Sequence, residues 1–497
     1  MKLTQEQLDI INFDLKPKEM LKTLAYAGAG KTSTLVQVAI KYAGKSILYL
    51  AYNKSVKEDA VTKFPFNVDV ETIHSLAYRH IGYKFREQLD ACYGNLKTWD
   101  IAKFYRITTY EAARLNASLE LFCNSADPYP TVEHIVPDDL QRFDIDKYTV
   151  GMVAKLRILW EDVTNGRCGM SHSIYLKMFQ LAGVNLGYDI VLLDEAQDTN
   201  PVTLAIFNYQ VENGAIGFLV GDPYQQIYSW RGAVDAMSQV QAPTLRLSQS
   251  FRFGPDIAAF ASTMLNRCFG EKVPLSGRID LASGVRSGAD LALPLTVICR
   301  TNAGLVHSAY NNANAGRMIA VNGRDAFQET LKLITDIHHL QTGNRSAIDA
   351  RKISMHKDFA SLEKNVKESL DVELQTKVNI AKQYATTWPE VKEAILHMQV
   401  APSNAEVFLT TTHKSKGLEW PNVTIGSDFK ALHKYSDGGM PLLCKILKTP
   451  TQNDGEVHAE EVNLLYVACT RAQSELNIND DLNNFCNNYV AKETDSL

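Results

Sequence analysis

At 497 residues the chain is too long for one hydrophobic core, and about two to four compact domains are expected. With 45% hydrophobic and 22% charged residues it is neither a disordered polymer nor a membrane protein, and no apolar run approaches the length of a span. A net charge of −5 argues against coating nucleic acid through bulk charge but leaves room for a local basic groove. The eight cysteines form no C-x-x-C pair and read as buried apolar side chains in a reducing compartment, and the N-terminus has no apolar signal core, so a cytoplasmic setting is expected.

Residues 2–14 read as a helix carrying Gln5 and Gln7; a Gln placed here suits the edge of a nucleotide base, against the plainer reading of a solvated helix face. An apolar segment, 21–25, then runs as a short buried strand into Ala25-Tyr26-Ala27-Gly28-Ala29-Gly30-Lys31-Thr32-Ser33-Thr34. This is the phosphate-loop pattern with Ala25 in the place of its first Gly. Gly28 and Gly30 allow a turn tight enough for successive N–H groups to point at the β- and γ-phosphates, and Lys31 adds a point charge. Thr32 is the expected magnesium ligand, and the apolar-rich helix over 31–42 directs its N-terminal dipole at the phosphates.

The next strand, 46–51, ends in Tyr52-Asn53-Lys54-Ser55, and a third, 67–70, leads to Thr72-Ile73-His74-Ser75. Ligands of open α/β sheets bind at such strand ends. An aromatic beside a base suits a single nucleic-acid strand, although the pair is also common on surfaces; His74 alone reads equally as a core histidine. Residues 83–187 are mostly helical and far longer than a loop requires, which implies an inserted subdomain.

Four apolar residues then carry Asp194-Glu195-Ala196-Gln197-Asp198 out of a buried parallel strand. Beside a phosphate loop, Asp194 would hold the metal and Glu195 would orient and deprotonate the attacking water. The strand over 215–220 enters a loop with Gln225 placed to sense the γ-phosphate and Tyr228, Trp230 and Arg231 placed to grip a polymer; burial of Trp230 between domains is the alternative.

After a strand at 244–247 a second α/β pattern begins, with strands at 295–299, 318–321, 407–410, 422–426 and 476–477 and no phosphate loop of its own. A charged helical insertion over 324–402 carries Leu362, Val366, Leu370, Leu374 and Val378 at four-residue intervals, one helix with an apolar stripe that reads as domain core. Residues 463–472 read as a helix ending in Arg471, and about twenty terminal residues as a loose tail. One cradle followed by a second unit offering Arg252, Arg300 and Arg471 suggests ATP held between two domains, with arginines stabilising the γ-phosphoryl by about a thousandfold in rate.

Taken in order, Ala-Gly-Ala-Gly-Lys-Thr, Tyr-Asn-Lys-Ser, Thr-Ile-His-Ser, Leu-Leu-Asp-Glu-Ala-Gln-Asp, Gly-Asp-Pro-Tyr-Gln-Gln-Ile-Tyr-Ser-Trp-Arg-Gly-Ala, Gln-Ser-Phe-Arg-Phe, Cys-Arg-Thr-Asn, Thr-His-Lys-Ser-Lys-Gly-Leu-Glu-Trp and Leu-Leu-Tyr-Val-Ala-Cys-Thr-Arg-Ala resemble superfamily 1 helicases of the UvrD/Rep type. Within that family the chain is most similar to the helicase core of the F-box DNA helicases. The resemblance implies an α/β protein of two RecA-like P-loop NTPase-type lobes, each with a mostly helical inserted subdomain: the first lobe over 1–82 and 188–247 with its insertion at 83–187, the second over 248–323 and 403–497 with a reduced insertion at 324–402. It implies ATP and Mg2+, with Gln7 reading adenine and Ala27, Gly28, Ala29, Gly30, Lys31, Thr32, Ser33, Gly417 and Glu419 around the nucleotide. Lys31, Asp194, Glu195, Gln225, Arg252 and Arg471 are its implied catalytic residues, and Thr32 and Asp194 its metal residues. Tyr52, Asn53, Lys54, Thr72, His74, Ser75, Tyr228, Trp230, Arg231, Arg300, Thr412 and His413 are the implied strand contacts.

The same resemblance implies a monomeric 3′ to 5′ motor on single-stranded DNA and on its junctions with duplex, serving replication, recombination or repair, with no membrane partner. A translocase that strips proteins with little unwinding, and a nucleotide-gated module within a larger complex, are the rival readings. Two features depart from the pattern. Trp230 stands where the F-box helicases carry Phe, and the second insertion is much shorter than the regulatory subdomain of UvrD-type members. Met1 lies just before the first motif, so an F-box is expected to be absent and a bacterial or phage setting is expected.

Overall fold

The computed structural model describes residues 3–137, 145–228, 236–288, 292–369, 371–435, 441–447 and 456–487. Two compact units divide the chain: the first holds 1–25, 30–247 and Glu368–Leu370, and the second holds Tyr26–Ala29, Ser248–Lys367 and Asp371–Leu497.

The first unit is built on six strands, β1 (Met20–Ala25), β2 (Ile47–Ala51), β3 (Val68–Thr72), β4 (Ile190–Leu193), β5 (Ile216–Gly221) and β6 (Thr244–Leu247), in the order β3-β2-β4-β5-β1-β6. Every pairing is parallel. All residues of β2, β4 and β5 are buried, which is why these segments are continuous apolar runs rather than alternating ones. Between β3 and β4 the chain forms the helices Ile73–His80, Arg86–Ala91, Thr98–Tyr105, Thr109–Asn124, Ile145–Thr164 and His172–Ala182. Their Leu115, Leu119, Leu156 and Phe179 join Leu48, Val191 and Leu193 of the sheet in one core, so the insertion is fused to the sheet rather than tethered to it.

A parallel scaffold gathers all its strand ends at one edge. The turns after β1, β2, β3, β4 and β5 therefore bring Lys31, Tyr52, Thr72, Asp194 and Gln225 to the same side of one sheet.

The second unit repeats the architecture with six parallel strands in the order Gly284–Ser287, Ala472–Ile478, Trp420–Ile425, Leu295–Cys299, Val407–Thr411 and Ile319–Val321. The strand Gly284–Ser287 has no counterpart in the sequence reading, because an edge strand with no buried residue carries no apolar pattern. The insertion departs from expectation too. The stripe from Leu362 to Val378 is not one helix but two, Phe359–Ser369 and Val372–Gln383, the second begun by Asp371, whose carboxylate accepts the Leu374 N–H at 2.9 Å. Leu362, Val366, Leu374 and Val378 still meet in one core with Ile334, Trp388 and Ile395, while Leu370 lies outside the described residues. Near the end, Asp480–Asn487 is helical with Phe485 buried, where a loose tail was expected.

Candidate active site

The helix Lys31–Lys41 starts from Gly30, which sits in the left-handed region (φ 76°) and supplies no capping side chain. Its first N–H groups therefore face outward without a side-chain acceptor, the arrangement that receives an anion. Across the strand edge, Lys31 Nζ pairs with Glu195 Oε1 at 2.8 Å. The Thr32 hydroxyl donates to Asp194 Oδ2 at 3.3 Å.

Asp194 is almost wholly buried, and beyond Thr32 it accepts from Tyr49 Oη (2.7 Å) and from the Glu195 N–H (2.8 Å). Burial, and then the neighbouring Glu195, raise its pKa above the ordinary carboxylate range, with Lys31 opposing. A cation at this place would relieve that penalty. A hydroxyl and a buried carboxylate are hard oxygen donors of the kind magnesium takes, so Thr32 and Asp194 would hold Mg2+ here. Among the described residues no three His, Cys, Asp or Glu side chains cluster as a metal cage.

Glu195 is held unusually. Its backbone occupies the left-handed region at φ 53°, and its carboxylate accepts from Gln197 Nε2 at 2.5 Å. Gln197, fully buried, accepts in turn from the Asp222 N–H at 3.0 Å, and Gly221 is required there because a Cβ would lie 2.5 Å from Gln197 Oε1. Gln225 donates to Asp222 Oδ2 at 2.7 Å. Burial pushes the Asp222 carboxyl up to about 6. Tyr49, Gln197 and Asp222 were not singled out from the sequence; a lone Tyr inside the apolar Ile47–Ala51 strand was the available signal.

Gln7 is buried rather than part of a solvated face. Its Oε1 accepts the Thr4 N–H at 3.1 Å, closing a capping box, and its Nε2 donates to Thr34 Oγ1 at 3.0 Å. Ser33 is exposed, and Ala27 and Ala29 are buried.

The nucleic-acid residues named from the sequence converge in part. A cavity of about 320 Å³ is lined by Tyr52, Asn53, His74 and Tyr228, and also by Asp194. Tyr52 and Tyr228 stack with ring centroids 5.8 Å apart. His74 keeps an exposed edge at this cavity although crowded by His172 and Tyr175; that crowding, and then His172, hold it below the usual imidazole range, and the open edge makes the desolvation partial. Asn53 and Thr72 cap the helices Lys54–Lys63 and Ile73–His80, accepting the N–H groups of Val56 (2.9 Å) and Ser75 (3.2 Å). The Ser75 hydroxyl donates to Glu71, and exposed Lys54 pairs weakly with Glu58 at 3.8 Å. Trp230 and Arg231 lie outside the described residues.

In the second unit the named residues separate to opposite edges of the sheet. Glu419 precedes Trp420–Ile425 and Arg471 precedes Ala472–Ile478, whereas Arg300 follows Leu295–Cys299 and Thr412 and His413 follow Val407–Thr411. At the first edge Arg252 Nε donates to Glu419 (2.7 Å) and its Nη1 to the Thr470 carbonyl (2.8 Å). Arg471 is buried and donates to the carbonyls of Val467 (3.0 Å) and Leu418 (3.3 Å). Gly417, exposed, takes φ 84°. Gly28 belongs to this unit; a Cβ there would meet Ser250 Oγ at 2.5 Å and Arg252 Cβ at 2.9 Å, so only glycine fits. At the other edge Arg300 forms a two-pronged pair with Glu461 (2.8 and 2.6 Å), which, against burial, keeps Glu461 below the usual range. Thr412 is fully buried with its hydroxyl on the Cys299 carbonyl (3.4 Å), while His413 is partly exposed.

A Gly-Lys-Thr turn facing an Asp-Glu pair on parallel strands, followed by a second parallel α/β unit without such a turn, defines a P-loop NTPase-type protein of two RecA-like units. Family models agree and narrow it: the UvrD/REP helicase N-terminal domain matches residues 180–242, and the UvrD-like helicase C-terminal domain matches 247–480. The chain belongs to the UvrD/REP helicase family.

It is similar to F-box DNA helicase 1 of Gallus gallus (29% identical, over 97% of this chain and 49% of that protein) and to F-box DNA helicase protein 1 of Schizosaccharomyces pombe (30%, over 97% and 58%). The mitochondrial ATP-dependent DNA helicase HMI1 of Saccharomyces cerevisiae matches at 25% identity over 54% of this chain and 42% of that protein. The chain thus spans about half the length of the curated relatives it matches. The relatives matched along nearly the whole chain are eukaryotic, so the expected bacterial or phage setting finds no support in them. Among the described residues no helix is long and apolar enough to cross a membrane.

Proposed function

We propose that the chain is an ATP-dependent DNA helicase that hydrolyses ATP to move along single-stranded DNA, 3′ to 5′, and to separate duplexes. One observation carries the reading: Asp194, beside Lys31, Thr32 and Glu195, also lines the cavity that holds Tyr52, His74 and the stacked Tyr228. Phosphate chemistry and strand grip then share a wall, and a change at one is felt at the other.

In this reading Lys31 leaves Glu195 for the phosphates, and Glu195, steadied by Gln197, accepts the proton of the attacking water. Thr32 and Asp194 would hold Mg2+, which neutralises charge developing on the phosphoryl oxygens. Arg252 and Arg471 are assigned to the γ-phosphate, which requires Arg471 to exchange a carbonyl partner for phosphate. Tyr52 and Tyr228 offer ring faces to bases. Support for DNA as the polymer comes from the family and from the F-box DNA helicases to which the chain is similar.

The test is steady-state hydrolysis with magnesium, with and without single-stranded DNA, beside unwinding of duplexes bearing a 3′ or a 5′ tail. Stimulation by the strand with unwinding only from the 3′ tail is expected. Stimulation without unwinding would leave a translocase, and absence of stimulation would overturn the motor reading.

A further inference from the structure

We propose that the outer face of the first helical insertion, formed by Tyr93, Lys97, Trp99, Lys103 and Phe104, is a second binding surface for single-stranded DNA, separate from the cavity at the strand edge. The helix Thr98–Tyr105 buries Ile101 and Ala102 and turns Trp99 (64% exposed) and Phe104 (47%) outward, and Tyr93 just before it is 86% exposed. Trp99 and Phe104, five residues apart, flank the two sides of the helix's exposed half, and large rings exposed this densely mark an interaction site.

The rings come with cations. Lys97 Nζ lies 5.2 Å from the centroid of the Tyr93 ring, and Lys103 stands one helical turn from Trp99 on the same face. Residues 93–106 carry Lys97, Lys103 and Arg106 against Asp100 alone, a local excess of two positive charges in a chain of net −5. The Asp100 carboxylate is committed to the helix start, where it accepts the Lys97 N–H at 3.2 Å. Phosphates are the complementary charge.

The surface is also pre-shaped. Tyr93 holds a left-handed backbone (φ 51°), and the following Gly94 packs so closely that a Cβ would lie 2.4 Å from His172 Nε2. Its N–H donates to the Leu89 carbonyl at 2.7 Å. A rigid turn presenting rings beside ammonium groups suits unstacked bases and their backbone; the stacked interior of a duplex offers such rings nothing. None of the five residues lines the cavity of Tyr52 and Tyr228.

This inference rests on the proposed motor in taking DNA as the strand, and the experiment separates the two. The full chain is titrated with fluorescent oligothymidylates, one just long enough to saturate stimulated hydrolysis and one several times longer, and cross-linked by ultraviolet light for peptide mapping. In the parent, cross-links are expected in the peptide containing Trp99 with the long strand only. The W99A/K103A variant, altered only at exposed positions, is expected to keep parental turnover and short-strand affinity and to bind the long strand about tenfold more weakly. Trp99→Tyr should restore most of the loss. Unchanged long-strand affinity, or cross-links confined to the cavity peptides, would overturn the second surface while leaving the motor intact, and would assign the exposed rings to a protein partner. Equal weakening of both strands with loss of stimulation would also overturn it, by making the face part of the main path. A parent that binds neither strand would remove the motor reading first.

Discussion

At the scale of single residues, Lys31 and Gln197 make different predictions. Lys31→Ala removes the charge that both phosphate and Glu195 use, and turnover should fall on the order of a hundredfold or more, checked by phosphate release. Gln197→Glu keeps an acceptor for the Asp222 N–H but replaces the donor to Glu195 with a like charge. Turnover should fall about tenfold or more with little change in the KM for ATP, and the acidic limb of the pH–rate profile should move upward because a second carboxylate raises the pKa of the base. Asp222 allows a sign to be worked out for stability. Its folded pKa of about 6 lies above the unfolded value near 3.9, so its favourable contribution is present below the latter and is lost as pH rises through the former. The advantage of Asp222→Asn over the parent in unfolding free energy, read by denaturant titration, should therefore grow between about pH 4 and 6 and level off above at about 2–3 kcal/mol. The meeting of Lys31 with Glu195 and of Thr32 with Asp194 was legible because the phosphate-loop pattern sets particular residue types at fixed spacing beside a parallel strand end. Gln197 was not, since its role exists only where β5 brings the Asp222 N–H beside it.

At the scale of elements, two residues expected to contact a strand also begin helices. Asn53 caps Lys54–Lys63 and Thr72 caps Ile73–His80, and both hold their strand-edge turns in place. Asn53→Ala should cost about 1 kcal/mol and weaken strand binding, whereas Asn53→Ser, which retains the capping oxygen, should recover the stability in a melting experiment. Recovery of binding with stability would make Asn53 a positioning residue. The second insertion shows where periodicity misleads: four-residue spacing of Leu and Val continues across a helix break, because Asp371 restarts the next helix in compatible phase. The apolar stripe reported burial correctly and continuity wrongly.

At the scale of the whole molecule, the two sheets distribute their work differently. The first brings Lys31, Asp194 and Gln225 to the same edge as Tyr52 and Thr72, while the second sends Arg252, Glu419 and Arg471 to one edge and Arg300, Thr412 and His413 to the other. Arg252→Ala should lower turnover at saturating ATP by about tenfold or more with strand affinity retained. Arg300→Ala should instead lower thermal stability, by about 1–3 kcal/mol, because it leaves Glu461 partly buried without its guanidinium; the double variant with Glu461→Gln should recover part of that loss.

The residue order by itself determined the phosphate loop, the Asp-Glu pair, the alternation of strands and helices and the presence of two insertions, since each is a local demand of backbone conformation, charge or apolar period. Only the tertiary structure decided that Gln7 is buried, that Tyr49 and Gln197 steady the carboxylates, that Thr412 and Arg471 turn to carbonyls, and that Tyr52, His74, Tyr228 and Asp194 share one cavity. Those facts depend on which distant strands lie side by side, a choice made by the packing of whole apolar faces that no short stretch of the chain encodes alone.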